Sequence, residues 1–271
     1  MSHVLTLAHS PDREDAFLYH ALTKGLIDAR GIEFRQELQD IETLNRCAAE
    51  GVYDVTSLSF HAYAYAADRY VLFSAGASVG DGYGPVVVSR RSLTSVDLAE
   101  CMVAIPGERT TSYLVFRLFC PIARVKVLPQ KEILREVAKG NVDAGLLVSE
   151  GDLDGQVRRI VDLGEWWRME TGLPLPLGGN AIRRSFDRDL RHTVGEVIQD
   201  GMQYALDHRK EVLEHLLQHR DHEPAKKFVG IYLNSYSLEL SERAAQGLEL
   251  LYRLGYEKGI LPSRITPEFV D

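Results

Sequence analysis

Apolar positions along this chain recur in two registers, every second residue and every third to fourth, and the registers trade places in a repeated order. His3 to Ala8 has the strand period and runs into the polar loop His9-Ser10-Pro11-Asp12. Glu14 to Leu22 has the helix period and ends near Gly25. A short strand, Ile32 to Gln36, precedes a helix opened by Asp40, faced by Ile41, Leu44 and Ala48, and stopped at Gly51. Asp54 to Ser59 closes the unit as a strand. The middle of the chain repeats this order. Met102 to Ile105 predicts a strand, Pro106 to Thr111 a polar loop, Ser112 to Phe119 a helix and Val125 to Leu128 a strand. Lys131 to Lys139 then predicts a helix ended by Gly140, and Asp143 to Val148 a strand arriving at Ser149.

Strands and helices that alternate with short crossovers predict parallel sheets covered by helices on both faces, and two such units predict a two-lobed α/β protein. The lobes are joined twice. Gly76 to Gly84 leads into Pro85-Val86-Val87-Val88, a strand that carries the chain across. The return, Gly172 to Gly178, holds Pro174 and Pro176, which force extended backbone without complete ladders. Two amphipathic helices, about 190–218 and 240–255, then complete the first lobe. The expected division is 1–86 plus 172–271 as a discontinuous large lobe and 87–171 as a small one, with the two crossings as a hinge around a cleft.

Ligands of parallel sheets lie at the carboxyl ends of the strands. Both units bring hydroxyls to that edge: Ser10, Ser57 and Ser59 from one, Thr110, Thr111 and Ser149 from the other. Thr110 and Thr111 stand where a helix begins, and a helix start favours a carboxylate or phosphate by about 0.3–2 kcal/mol. Thr110 and Ser10 also fit purely local roles, a helix cap and a turn. Convergence from two lobes, which capping does not require, favours an anion between them.

Composition narrows the partners. Of 271 residues 45% are apolar and 26% charged, ordinary for a globular chain, and the net charge of −8 repels nucleic acid and anionic membrane. Met1 to Asp12 has no basic start followed by an apolar stretch, and Cys47, Cys101 and Cys120 have no paired spacing. Both features point to a cytoplasmic protein. His208, His215, His219 and His222 invite a metal reading, but no glutamate stands where HExxH chemistry needs one, so no metal is expected.

His9-Ser-Pro-Asp-Arg-Glu-Asp-Ala-Phe17 resembles the opening of the 1,4-dihydroxy-6-naphthoate synthases. Gly82-Tyr-Gly-Pro85, Pro106-Gly107 with Thr110-Thr111, Asp143-Ala-Gly-Leu146, Asp162-Leu-Gly-Glu-Trp-Trp167 and Tyr232-Leu-Asn234 are similar to further blocks of that family. The resemblance implies a periplasmic-binding-protein-like (type II) clamshell and a lyase of the futalosine route to menaquinone. Its reaction converts cyclic dehypoxanthine futalosine to 1,4-dihydroxy-6-naphthoate with no cofactor. The implied partner is a small carboxylated aromatic metabolite, with no nucleic acid and no membrane; a homodimer is compatible with the sequence. One position departs from the family, whose members carry a catalytic histidine where this chain has Ser149. Three accounts stay open. Another group, with His61, His9 and Asp15 nearest by strand-end logic, serves as base; the chain runs related chemistry on a different acid; or it binds without turnover. His61 follows a strand end and is the preferred substitute, with a pKa near neutrality if a carboxylate such as Asp15 lies close. The competing reading of His61 is a buried ring bonded to a carbonyl.

Overall fold

A computed structural model describes residues 3–148, 156–218 and 237–270. Six strands form the first sheet: β1 (His3–His9), β2 (Ile32–Leu38), β3 (Val55–Ser59), β4 (Tyr70–Leu72), β5 (Ser78–Gly80) and β11 (Leu175–Arg183). Their order is β2-β1-β3-β11-β4, with β5 also paired to β11. The second sheet has the order β10-β6-β9-β7-β8, from β6 (Val86–Ser89), β7 (Met102–Ile105), β8 (Arg124–Val127), β9 (Ala144–Leu147) and β10 (Arg158–Asp162).

The two-residue period decides which core each side chain enters. In the second sheet Val87, Val103 and Ile105 join one core with Leu114 and Trp167, whereas Val86, Val88 and Ala104 join the opposite one with Ile133 and Val137. Val55 and Ile182 of the first sheet face α8 (Arg188–Asp207), whose Leu190, Val194, Ile198 and Met202 recur at helical spacing. Leu58 and Ala181 face the other way, toward Leu248 and Tyr252 of the last helix, α10 (Glu242–Glu257). Helix α10 does more than complete the first lobe. Its Leu251 enters the core of the second, and the Tyr252 hydroxyl donates to the Phe60 carbonyl at 2.8 Å.

Local signals set the repeated helices. Asp40 caps α3 (Ile41–Glu50) by accepting from the Thr43 N–H, and Gly51 ends it at φ 72°, in the left-handed region. Thr110 opens α5 (Thr111–Phe119), and Gly140 ends α6 (Gln130–Lys139) in the same left-handed way. Two expectations are corrected. The sheets are mixed, because β6, β10 and β11 run antiparallel to their neighbours. The helix expected from Glu14 to Leu22 breaks at Tyr19 into α1 (Arg13–Leu18) and α2 (His20–Thr23). Tyr19 is buried and its hydroxyl donates to Asn180, 161 residues away, while backbone bonds from Tyr19 to Asp15 and from Thr23 to Tyr19 keep helical spacing across the break. The proline-rich return has the incomplete ladder expected of it, with a register shift between Pro176 and Gly178, and regular pairing with β3 begins only at Gly178.

The first crossing packs against the start of α7 (Leu163–Thr171) through a glycine pair. A Cβ on Gly84 would come within 2.9 Å of the Gly164 Cα, and one on Gly164 would overlap the Tyr83 carbonyl. Gly164 lies in α7, where Asp162 accepts from its N–H at 2.8 Å, so the helix start cannot swing away without losing its cap. Gly164→Ala therefore lowers stability by about 1–3 kcal/mol, read as a lower urea midpoint at unchanged slope.

Candidate functional site

The carboxyl ends of β1 and β3 carry a polar cluster set into the first lobe. The Ser10 N–H donates to Asp15 Oδ2 at 2.7 Å, and the Ser10 hydroxyl accepts from the Asp12 N–H at 2.9 Å. The hydroxyls of Ser57 and Tyr19 both donate to Asn180 Oδ1, at 2.7 and 2.6 Å, and the Asn180 amide donates to the Gly76 carbonyl. Ser57 also acts on the Asp15 carboxyl. Burial raises the Asp15 pKa to about 7, against the opposing pull of the Ser10 N–H and the Ser57 hydroxyl, with the nearby Asp12 charge adding to the rise. A carboxyl that titrates near neutrality can both take and return a proton.

His9 belongs to the frame of this cluster. Its Nδ1 lies 2.8 Å from the Ser10 carbonyl and its Nε2 2.6 Å from the Gln36 amide nitrogen, so both ring nitrogens are committed. Burial lowers its pKa, and it holds the β1 end in place as a neutral ring.

A second constellation joins the lobes. Asn45 of α3 accepts from the Ser59 N–H at 2.8 Å and donates to the Ser59 hydroxyl and to the Arg109 carbonyl across the seam. His61, on α4 (Phe60–Tyr63), donates its backbone N–H to the Thr111 hydroxyl at 3.1 Å, and its Nδ1 lies 3.1 Å from the Thr110 carbonyl. A carbonyl only accepts, so the neutral ring carries its proton on Nδ1 and its lone pair on Nε2. The Glu42 carboxyl lies against Gly107 and takes the Arg109 N–H; burial raises its pKa.

The structure thus sorts the expected residues into two groups: Ser10, Asp15 and Ser57 in the first lobe, and Ser59, His61, Thr110 and Thr111 along the seam. The local reading of Thr110 is realised. Its hydroxyl accepts from the Tyr113 N–H and donates to the Gly107 carbonyl. The carbonyl-bonded reading of His61 is realised too. The charge acting on it is the cation Arg109, not Asp15, and burial pushes its pKa down to about 4 rather than holding it near neutrality. Ser149 lies outside the described residues, as do His219 and His222. Asn180, Tyr19 and Asn45 escaped the sequence reading. Asn180 is a polar residue in an apolar strand, a signal that spacing alone does not interpret. Among the described residues no group of three or more His, Cys, Asp or Glu is placed to hold a metal, and no helix is long and apolar enough to cross a membrane.

The family described as Menaquinone biosynthesis matches residues 5–257. The 1,4-dihydroxy-6-naphthoate synthase of Thermus thermophilus is 35% identical, over 98% of this chain and 99% of the relative. The chain belongs to the 1,4-dihydroxy-6-naphthoate synthase family. A solved protein from Archaeoglobus fulgidus has 37% identity and a TM-score of 0.89, covering 96% of this chain and 99% of its own. A Candida albicans protein described as having the generic periplasmic binding protein fold superposes with a TM-score of 0.69 at 14% identity, over 99% of this chain and 97% of its own. At that identity the likeness shows the fold alone: this member of the synthase family is a two-lobed clamshell of that class.

Two measurements test the geometry. Asp15 has a folded pKa above its unfolded one, so its contribution is full below about pH 4 and is lost as pH rises through about 7. Between pH 5 and pH 8, Asp15→Asn should gain about 2 kcal/mol on the wild type in urea unfolding. Gly107→Ala would drive a methyl group into the Glu42 carboxyl, and small-angle scattering should show the lobes opened relative to wild type.

Proposed function

We propose that this chain is a lyase of menaquinone synthesis that converts cyclic dehypoxanthine futalosine to 1,4-dihydroxy-6-naphthoate in the cytoplasm. Asp15 carries the reading: a carboxyl with a pKa of about 7 stands at the carboxyl ends of β1 and β3, between the Ser10 backbone and the Ser57 hydroxyl. In its ionised form it removes a proton from the bound substrate. The electron pair of the broken C–H bond expels the sugar-derived fragment, Asp15 returns the proton to the leaving oxygen, and the second ring aromatises. Asp15 thereby supplies the base that a serine at position 149 cannot, whereas His61, with a pKa of about 4, is too weakly basic for the task.

The ligand is a small carboxylated aromatic. The Ser10 and Thr111 hydroxyls each accept one hydrogen bond from the protein and keep a proton to donate. With the first turn of α5, whose leading N–H groups have no partner inside the helix, they favour the aryl carboxylate. The two crossings act as the hinge that admits it.

The assay supplies cyclic dehypoxanthine futalosine and follows the naphthoate absorbance. The native chain should turn over, with kcat rising as pH passes through about 7. Asp15→Asn should lower kcat by about 10²–10⁴-fold at little change in KM. Ser149→His should raise kcat and weaken the dependence on Asp15. Tight substrate binding with no product from the native chain would overturn the proposal.

A further inference from the structure

A cavity of about 490 Å³ lies beside the seam; His61 lines it, and none of Ser10, Asp15, Ser57 or Thr110 does. Its walls come from three places in the chain. The first lobe supplies His61 and Tyr65, α5 of the second supplies Tyr113 and Arg117, and the turn after α10 supplies Lys258. The volume falls in the ordinary range for small-molecule sites.

The chemistry of the lining is specific. His61 is only 2% exposed, and with Nδ1 committed to the Thr110 carbonyl, its Nε2 is buried without a hydrogen-bond partner. A buried acceptor left unpaired costs free energy that a donor on a ligand would recover. The Tyr65 and Tyr113 rings flank it, with centroids 5.7 and 6.3 Å from the imidazole, the second nearly parallel to it. Arg117 is held rigidly: its guanidinium donates to the Tyr113 hydroxyl and to the carbonyls of Pro121 and Ala123. Lys258 is exposed, and the Arg109 guanidinium, which does not line the cavity, sits over the Tyr65 ring at 4.3 Å. Glu108 is the acidic residue of the lining, against Arg117 and Lys258. Flat rings and cations in the lining and one unpaired acceptor describe a complement to a planar aromatic anion that bears a hydroxyl.

We infer that this cavity is a second binding site, separate from the Asp15 cluster, for a hydroxylated aryl carboxylate whose ring lies between Tyr65 and Tyr113 and whose carboxylate faces Arg117 and Lys258. Its hydroxyl donates to His61 Nε2, which a small shift of the flanking tyrosine rings uncovers. Because both lobes contribute walls, an occupant favours the arrangement in which His61 bonds Thr110 and Thr111, so the site couples to closure of the clamshell. The inference stands apart from the lyase reading, since the site can fill whether or not the chain turns over substrate.

The test is calorimetric titration of the full chain with 3-hydroxy-2-naphthoate and, separately, with 2-naphthoate. Two molecules of the hydroxylated acid should bind per chain. Lys258→Glu, an exposed substitution outside the Asp15 cluster, should weaken one of the two by about tenfold or more and leave the other unchanged. Tyr65→Leu should act on the same molecule, and Ser57→Ala on the other. The acid without the hydroxyl should lose affinity at the Lys258-sensitive site, and His61→Phe should abolish that difference. A single bound molecule insensitive to Lys258→Glu and Tyr65→Leu would overturn the inference, as would no binding at all. Lyase activity absent from the native chain, with these titrations as expected, would count against the Asp15 assignment alone.

Discussion

Asn45 is a fully buried amide that serves both halves of the molecule. Its carbonyl takes the Ser59 N–H, and its amide nitrogen reaches the Ser59 hydroxyl and the Arg109 carbonyl. Withdrawing either lobe would strand buried polar groups, each costing about 1–3 kcal/mol when unpaired. The same seam carries the contacts of His61 with Thr110 and Thr111, so the start of α5 is positioned by hydrogen bonds from the other lobe. The anion-favouring end of α5, the orientation of the His61 ring and the shape of the cavity beside it follow from this one junction. Apolar packing joins the lobes as well, because Leu175, Leu177 and Leu251 share a core with Val103, Ile105 and Leu114, and the directional hydrogen bonds of the seam set the register in which they meet.

Burial moves the two titratable groups at the heart of the site in opposite directions. It disfavours charge, and so raises the Asp15 carboxyl to about 7 and lowers the His61 imidazole to about 4. Each is left largely or partly uncharged at neutral pH, but only Asp15 is near the pH at which it would work. The carbonyl of Thr110 and the cation Arg109 decide the state of His61; the Ser10 N–H and the Ser57 hydroxyl moderate that of Asp15. A histidine beside a strand end is thus a junction piece here, while the carboxyl three residues past the β1 loop is the one poised near neutral pH.

Much of the architecture was legible along the chain. The β1, β3, β7 and β9 segments and the α3, α5 and α6 helices follow from periodicity, the Asp40 cap and the glycines at 51 and 140, because these act through neighbours a few residues apart. The short strands β4, β5 and β10 were not legible. β4 and β5 have three residues each and β10 is interrupted by a register shift between Arg159 and Val161, so none carries a readable period, and each pairs with a partner strand that offers a ladder. The break at Tyr19 has no local signal either, and the Tyr19 side chain is anchored to Asn180, 161 residues away.

Sequence by itself determined the doubled α/β order, the two crossings, the family and the set of hydroxyl, acid and imidazole groups from which a site could be drawn. Tertiary structure alone decided how that set divides. It gave Asp15 its burial and its Ser10 and Ser57 partners, committed both nitrogens of His9, and turned Nε2 of His61 away from the Thr110 carbonyl without a partner. The reason is physical. Helix and strand periods are local and survive in one dimension, whereas a proton's affinity depends on solvent exclusion and on polar groups that meet only when distant segments pack.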